Sequence, residues 1–436
     1  MKVAVIGAGL AGSEAAALLL KNDISVDLYE MKPKKFSPAH KLNGFAELVC
    51  SNSLKSMRES HPQGMLKKEL LLLNSIILNK SLLCRIPSGD ALAVDRVLLS
   101  DLVTKELLSY RRLRVINEEV QSLPEGYDFF IIATGPLSSD SFSNFLQTFL
   151  GMKSLYFYDA ISPIIDGTSI EYNKVFFGSR YGKGGADYLN IPLKREQYME
   201  FVHNLRSAEK VSLKPFEKPK YYESCLPIEV LAERGDDTLA FGPMKPVGFD
   251  ESQVGFKPYA VIQLRKEDKA GIAYNIVGFQ TKLTINEQLR IFRSLPGLKN
   301  AVFLRYGSIH RNTYIDAPAV LNPSLNLKKE PNIYFAGQIT GVEGYVESIA
   351  TGFLSSFFLL CKLKGHKPIF PSQRTALGAL ISHLQSPLKP YQPSGLHLGL
   401  FVKERVSKRK REDAFLKNEQ TDFQIFLKEA ARIMVF

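Results

Sequence analysis

Only four cysteines occur in 436 residues, and no two stand in a C-x-x-C or other close pair. That excludes a disulfide framework, a dithiol redox motif and a cysteine metal cage. Cys50, Cys84, Cys225 and Cys361 therefore read as free thiols of a reducing compartment. The seven histidines show no metal-ligand spacing, so no metal site is expected, and only His310, which precedes Arg311-Asn312-Thr313, stands out. No apolar stretch reaches the ~20 residues that a bilayer crossing needs; the greasiest one, 353–363, is broken by Ser355 and Ser356. The first apolar run turns straight into a glycine loop with no cleavage-type segment behind it, unlike a signal peptide. A cytoplasmic protein without a membrane partner is the expectation. Internal repeats and low-complexity tracts are also missing.

What is present fits a folded chain with a full core, with 45% hydrophobic and 23% charged residues. At roughly 150 residues per domain the length suggests two or three domains. The formal net charge is +12. An excess of that sign favours a polyanionic partner such as nucleic acid; a merely basic average composition is the plainer alternative.

The N-terminal residues carry the most specific pattern. Residues 2–6 are a short apolar run of the kind that forms a buried parallel strand. Gly7-Ala8-Gly9-Leu10-Ala11-Gly12 follows, then an Ala- and Leu-rich helix over 13–20, then a strand over 24–29 that ends at Glu30. A G-x-G-x-x-G is informative only in this strand–turn–helix–strand context. Gly7 permits the tight turn, Gly9 lets the backbone approach a pyrophosphate, and Gly12 allows close helix packing. The helix N-terminus favours the negative charge, and Glu30 is placed to accept ribose hydroxyls. Two later apolar strands also end in glycine, DFFIIATG (128–135) and NIYFAGQITG (332–341). They put Thr134, Gly135, Gly337 and Gln338 at the rim of the same fold. A late F-A-G segment suits FAD rather than NAD alone. With a single G-x-G-x-x-G, NADPH or NADH would dock transiently over the flavin.

Elsewhere, 31–60 reads as loop, 67–79 and 98–108 as helices, and Thr284 with Glu287 as a capping box opening a helix through Arg293. Between 187 and 297 the pattern changes to mixed helices and strands with many prolines. The expected fold is α/β: an FAD-binding dinucleotide (Rossmann-like) domain with an inserted α+β domain. The first domain spans 1–186 and 298–436, the latter with a basic tail, and the insert spans 187–297.

Two cysteines sit in polar surroundings. Cys50 is followed by a polar run that could open a helix, and a helix N-terminus lowers a thiol pKa. Cys225 follows a stretch holding Lys210, Lys214, Phe216, Lys218, Lys220, Tyr221 and Tyr222. Cations interleaved with aromatics suit RNA backbones and unstacked bases. The alternative for a lone cysteine is a small buried hydrophobe, which is the reading for Cys84 and Cys361. Arg405, Lys408, Arg409, Lys410 and Arg411 form a basic cluster, either phosphate-binding or a solvated helix face.

Taken together, VIGAGLAGSEAA (5–16), LYEMKP (28–33), FAELVCSNSLKS (45–56), SRYGKGGADY (179–188), CLPIEVLAERGDDTLAFGPMKPVG (225–248), RYGSIHRNTYIDAP (305–318) and GQITGVEGYVES (337–348) carry a resemblance. The chain resembles the bacterial folate- and FAD-dependent tRNA (uracil-5-)-methyltransferases from residue 1 to about 392. The CSNS and GPMKPVG stretches separate it from larger flavoproteins that modify the wobble uridine of tRNA. The resemblance implies that 5,10-methylenetetrahydrofolate supplies a one-carbon unit, that reduced FAD passes it to C5 of a uridine, and that NADPH or NADH restores the flavin. The implied substrate is the T-loop uridine 54 of tRNA, with ribosomal RNA as an alternative target. It also implies two working cysteines: Cys225 as the nucleophile at uracil C6 and Cys50 as the flavin-side partner, with a general-base role open. The chain departs from the family in having Ser224 where a glycine is usual and Ile191 where a cysteine is usual. An RNA-binding flavoprotein acting within a complex, and an NAD(P)H-dependent flavin oxidoreductase without RNA, are the competing classes.

The charge balance yields a direct test. RNA affinity should fall steeply with salt, with a log–log slope of several units as counterions are released. A gel shift at low and moderate salt measures it, and equal affinities would exclude a charge-driven contact.

Overall fold

The computed structural model describes residues 1–152, 155–182, 185–212, 226–249, 251–386, 391–402 and 411–435. Its centre is a five-stranded parallel sheet. β1 (Val3–Ile6) pairs with β2 (Val26–Tyr29) on one side and with Phe129–Ile132 on the other. Ile333–Phe335 extends the sheet beyond Phe129–Ile132, and Leu113–Ile116 extends it beyond β2. β1 is buried along its whole VAVI run, as a strand covered on both faces must be. The strands expected at 2–6, 24–29, 127–134 and 333–336 are all in this sheet.

Helix α1 (Leu10–Lys21) connects β1 to β2 and packs against the helix Tyr345–Leu363. Glycine makes the approach possible. A Cβ at Gly352 would lie 2.3 Å from the backbone oxygen of Ala11. Tyr345–Leu363 is long and apolar enough to cross a membrane by length and composition alone. It is instead the core helix of this sheet, with 89% of its most apolar window buried inside the molecule.

Buried carboxylates tie further helices to this core. Glu14, inside α1, accepts from the Ser75 hydroxyl at 2.8 Å and the Ile77 N–H at 3.1 Å, at the start of helix Ile76–Leu83. Burial raises Glu14 to about 7, against the pull of those two donors. Glu69 accepts from the N–H groups of Ala376 and Leu377, which open helix Ala376–Leu384. In both places the acid meets the positive end of a helix.

Two expectations are corrected here. The helix expected at 67–79 is two helices, Pro62–Leu72 and Ile76–Leu83. Asn74 takes a left-handed φ of 57° between them, and the Ser75 hydroxyl caps the second by accepting from Leu78 N–H. The stretch 31–60 is not all loop, because Ser53–Ser56 is a strand paired with Ala91–Val94.

A second sheet has six antiparallel strands in the order Phe176–Gly178, Tyr188–Leu193, Ala260–Lys266, Ala273–Ile276, Ile164–Asp166, Phe303–Arg305. Helices Arg195–Ser207 and Ile285–Phe292 bring Tyr198, Phe201 and Phe292 into its core with Phe279. This sheet draws strands from both sides of the 187–297 span. At Ile285–Phe292 the expected helix is present and Thr284 is its N-cap, but the Thr284 hydroxyl makes no capping bond. Glu287 does not reach back either, since its carboxylate holds Arg290. The capping box is therefore not formed. The chain enters this layer along Leu155–Ile161 and leaves it along Ser308–Tyr314, and these two strands pair antiparallel over their full length.

The α1 contact gives a stability test. Gly352→Val must push two backbones apart, so it should cost at least about 1–3 kcal/mol. A lowered urea midpoint would register it; an unchanged midpoint would mean that the two helices separate without cost.

Candidate functional site

At the C-terminal ends of the parallel strands lies a cleft of about 1070 Å³, counting its open mouth. Gly7, Gly9, Leu10, Ala11, Glu30, Thr134, Gly135, Gly337 and Gln338 all line it. The three glycines of the loop differ in kind. Gly7 has φ 100°, and a Cβ there would meet the Ala133 oxygen at 2.6 Å. A Cβ on Gly12 would lie 1.8 Å from the Gly7 oxygen, so Gly12 serves packing and does not face the cleft. A Cβ on Gly9 would touch nothing within 4 Å, so the space beside it is open to a ligand. Ala8 is fully buried and donates its N–H to Glu30 Oε2 at 3.1 Å. The other oxygen of Glu30 accepts from Lys32 N–H at 3.1 Å. The carboxylate is thus fixed at the end of β2, where a ribose would present its hydroxyls. An open glycine turn, a helix N-terminus and this carboxylate fit a dinucleotide.

Val49 and Tyr345 form part of the cleft wall, and Cys50 follows Val49 directly in the chain. The Tyr345 hydroxyl accepts from the N–H groups of Cys50 at 2.8 Å and Ser51 at 3.0 Å. Arg305 donates to the carbonyls of Val49 at 2.9 Å and Cys50 at 3.1 Å. Arg96 donates to the Leu48 carbonyl at 2.9 Å and pairs with Glu267. Arg265 donates to the Ser51 hydroxyl and the Asn52 side-chain oxygen, both at 2.8 Å. The peptides on both sides of Cys50 are therefore held by side chains from elsewhere, and Arg265 holds the Ser51 and Asn52 side chains.

This environment corrects the expected thiol chemistry. The residues after Cys50 form the strand Ser53–Ser56, so the helix expected to open there and lower the thiol pKa is not formed. Burial, helped by Asp159, pushes the Cys50 thiol up to about 12, against the pull of Arg305 and Arg96. Nearby, burial first and Lys32 second lower His40 to about 4. His310 is lowered by burial and by Arg305, and its ring bonds Ser308 at 2.8 Å.

Cys225 lies outside the described residues, as do Lys214 to Tyr222 and the cluster from Arg405 to Lys410. Cys84 and Cys361 are fully buried, as their apolar surroundings indicate. The residues missed from sequence are Tyr345, Arg96, Arg265 and Arg305. Arg305 opens RYGSIH and Tyr345 follows the late glycine run, so proximity to those motifs was the available signal.

Residues 2–367 match the family model described as glucose inhibited division protein A. The methylenetetrahydrofolate–tRNA-(uracil-5-)-methyltransferase TrmFO of Persephonella marina is 50% identical over 428 residues, covering 98% of each chain. The protein of the same name from Aquifex aeolicus is 48% identical over 431 residues, 98% of this chain and 97% of that one. Its counterpart from Enterococcus faecalis is 47% identical over 428 residues, 97% and 98%. Among solved structures, Aquifex aeolicus GidA superposes with a TM-score of 0.70 at 15% identity, covering 99% of this chain and 75% of that chain. This last likeness concerns the fold.

The unequal glycines separate binding from folding. Gly9→Val should purify folded, with a melting temperature near that of the parent, but without yellow colour. Gly12→Val should lose stability, because its side chain meets backbone. Absorbance near the flavin bands and thermal melts distinguish the two, and a yellow Gly9→Val protein would place the ligand elsewhere.

Proposed function

The chain belongs to the folate- and FAD-dependent tRNA (uracil-5-)-methyltransferase family, and we propose that it methylates C5 of uridine 54 in the T-loop of tRNA. On this reading 5,10-methylenetetrahydrofolate is the one-carbon donor, NADPH or NADH is the reductant, and the reaction runs in the cytoplasm. The observation that supports it most is the junction of cleft and thiol: Tyr345 lines the dinucleotide cleft and also holds the Cys50 turn.

Gly7, Gly9, Leu10, Ala11, Glu30, Thr134, Gly135, Gly337 and Gln338 hold FAD on this reading, while Ala8 and Gly12 shape the loop. Bound there, FAD supplies the redox chemistry that carries the one-carbon unit and completes the methyl group. The open face of Gly9 admits the pyrophosphate, the N-terminus of α1 stabilises its charge, and Glu30 takes the ribose hydroxyls.

The second unit, centred on 187–297, receives the RNA. C5 of uracil is a weak nucleophile until a thiolate adds to C6, which is nucleophilic catalysis. We assign that addition to Cys225. A C6–S bond forms, electron density moves to C5, and C5 bonds to the one-carbon unit, whose bond to its carrier breaks; a hydride from the reduced flavin would turn that methylene into methyl. C5 then gives its proton to a base and the C6–S bond breaks, returning the thiolate. Cys50 is the flavin-side partner. Its raised pKa makes it a proton holder at rest, so a proton-accepting role requires its thiolate to form first.

Cys225→Ala and Cys50→Ala should both lose methyl transfer while keeping FAD. Mass spectrometry of tRNA after incubation with methylenetetrahydrofolate and NADPH reads the methyl group and its position; methylation of ribosomal RNA alone would overturn the tRNA assignment. Wild type should form a covalent adduct with 5-fluorouridine RNA, because fluorine blocks proton loss from C5. Cys225→Ala should form none, while Cys84→Ala should match wild type. An adduct lost in Cys50→Ala and kept in Cys225→Ala reverses the two roles.

A further inference from the structure

We propose that Arg305 is the positioning residue of Cys50: its guanidinium fork holds the Val49 and Cys50 carbonyls, and its charge offsets that of the Cys50 thiolate. The inference rests on the assignment of Cys50 to the flavin side of the methyl-transfer site.

Arg305 ends the edge strand Phe303–Arg305 of the second sheet, yet its side chain is spent on the first unit. Two of its N–H groups go to consecutive carbonyls, at 2.9 and 3.1 Å. A planar fork holds two such acceptors in one fixed geometry, whereas an ammonium is a compact charge with rotatable donors on a flexible stem. The third nitrogen, Nε, is buried and has no hydrogen-bond partner among the described residues. From the other side Tyr345 takes the two N–H groups of Cys50 and Ser51. The peptide carrying the thiol is thus held through its carbonyls by Arg305 and through its N–H groups by Tyr345, and the thiol direction follows from both.

The charges around the thiol are few. Asp159, from Leu155–Ile161, and Glu343, from the turn before Tyr345, oppose a thiolate, while Arg305 and Arg96 favour one. Arg96 is paired with Glu267, whose charge also acts on Arg305. Tyr345, itself pushed up by burial, contributes no charge at neutral pH. His310, also close to Arg305, is held toward its neutral form. Of the two cations Arg305 is the one bonded to the Cys50 peptide, so its removal should make the thiolate harder to form. An opposite charge within about 4–6 Å shifts a pKa by about one to three units, and Arg305 acts on the Cys50 thiol in that direction.

The test uses the full-length FAD-loaded protein and iodoacetamide, with modification of Cys50 followed by peptide mass spectrometry from pH 7 to 9. Below its pKa the thiol reacts in proportion to its thiolate, so one unit is about tenfold in rate. Arg305→Gln should alkylate about tenfold more slowly than wild type. Arg305→Lys keeps the charge and loses the fork. It should alkylate within about threefold of wild type, while kcat for tRNA methylation falls about tenfold, as for the loss of one charged hydrogen bond, and KM for tRNA holds. If Arg305 only braced the turn, Arg305→Gln would free Cys50 and speed its alkylation. An unchanged or faster rate therefore overturns the proposal. Should Arg305→Gln not fold, Arg305→Lys decides alone, and full kcat in that variant overturns it. Full methylation by Cys50→Ala would remove the functional reading of Cys50 and leave the alkylation result to judge Arg305.

Discussion

Three guanidinium groups converge on one short turn, and the rest of the molecule is arranged around keeping them there. Arg96, Arg265 and Arg305 come from three different elements and spend their donors on residues 48–52. Taking cations out of water is costly unless their donors find acceptors, and here most of them do, Arg96 Nε and Arg305 Nε being the exceptions. Here the acceptors are backbone carbonyls, the Ser51 hydroxyl, the Asn52 amide and the carboxylate of Glu267. Asn52 is fully buried and returns a bond of 2.9 Å to the Lys266 carbonyl in the second sheet. Two of the arginines belong to that sheet, so this knot docks one unit onto the other. It also explains why CSNS is a turn and then a strand. The N–H groups of Cys50 and Ser51 and the Cys50 carbonyl are already taken by Tyr345 and Arg305, and a helix would compete for them.

The dinucleotide half of the molecule was legible in the sequence because its determinants are local. A buried parallel strand, a glycine turn and a helix follow one another within residues 2–20, and each glycine has a steric reason visible in the pattern. Glu30 was legible for the same reason, as the residue that ends the next strand. The late strand Ile333–Phe335 could be read from its apolar run and the glycine after it.

The remainder depends on partners distant in the chain. Ile164–Asp166 and Phe303–Arg305 are three residues each, too short to show alternation, and they are strands only because they pair with each other and with Ala273–Ile276. A reading based on composition therefore drew the second unit too narrowly for its sheet. The break at Asn74 was hidden because the residues on both sides are good helix formers, and it is Glu14, 61 residues away, that favours a new helix start at Ser75. Thr284 and Glu287 have the spacing of a capping box, but Arg290 one turn on offers the carboxylate a charged partner, and that bond wins. The environment of Cys50 was least legible of all, since its arginines stand between about 45 and 255 residues further along the chain.

The paired strands Leu155–Ile161 and Ser308–Tyr314 make the second unit portable. Ile161 and Ser308 are directly opposite each other in the ladder, so the points at which the chain leaves and re-enters the first unit are within about 5.5 Å. A peptide bridge of one or two residues could close that gap after excision, restoring a continuous hairpin on the flavin unit. In evolutionary terms the same geometry makes the layer a cassette. It can be gained, lost or exchanged at one locus without altering the register of the parallel sheet, while the contacts between the units, the arginine knot and the bonds of Ser88 and Gly89 to Tyr188 and Asp187 among them, would have to be built again.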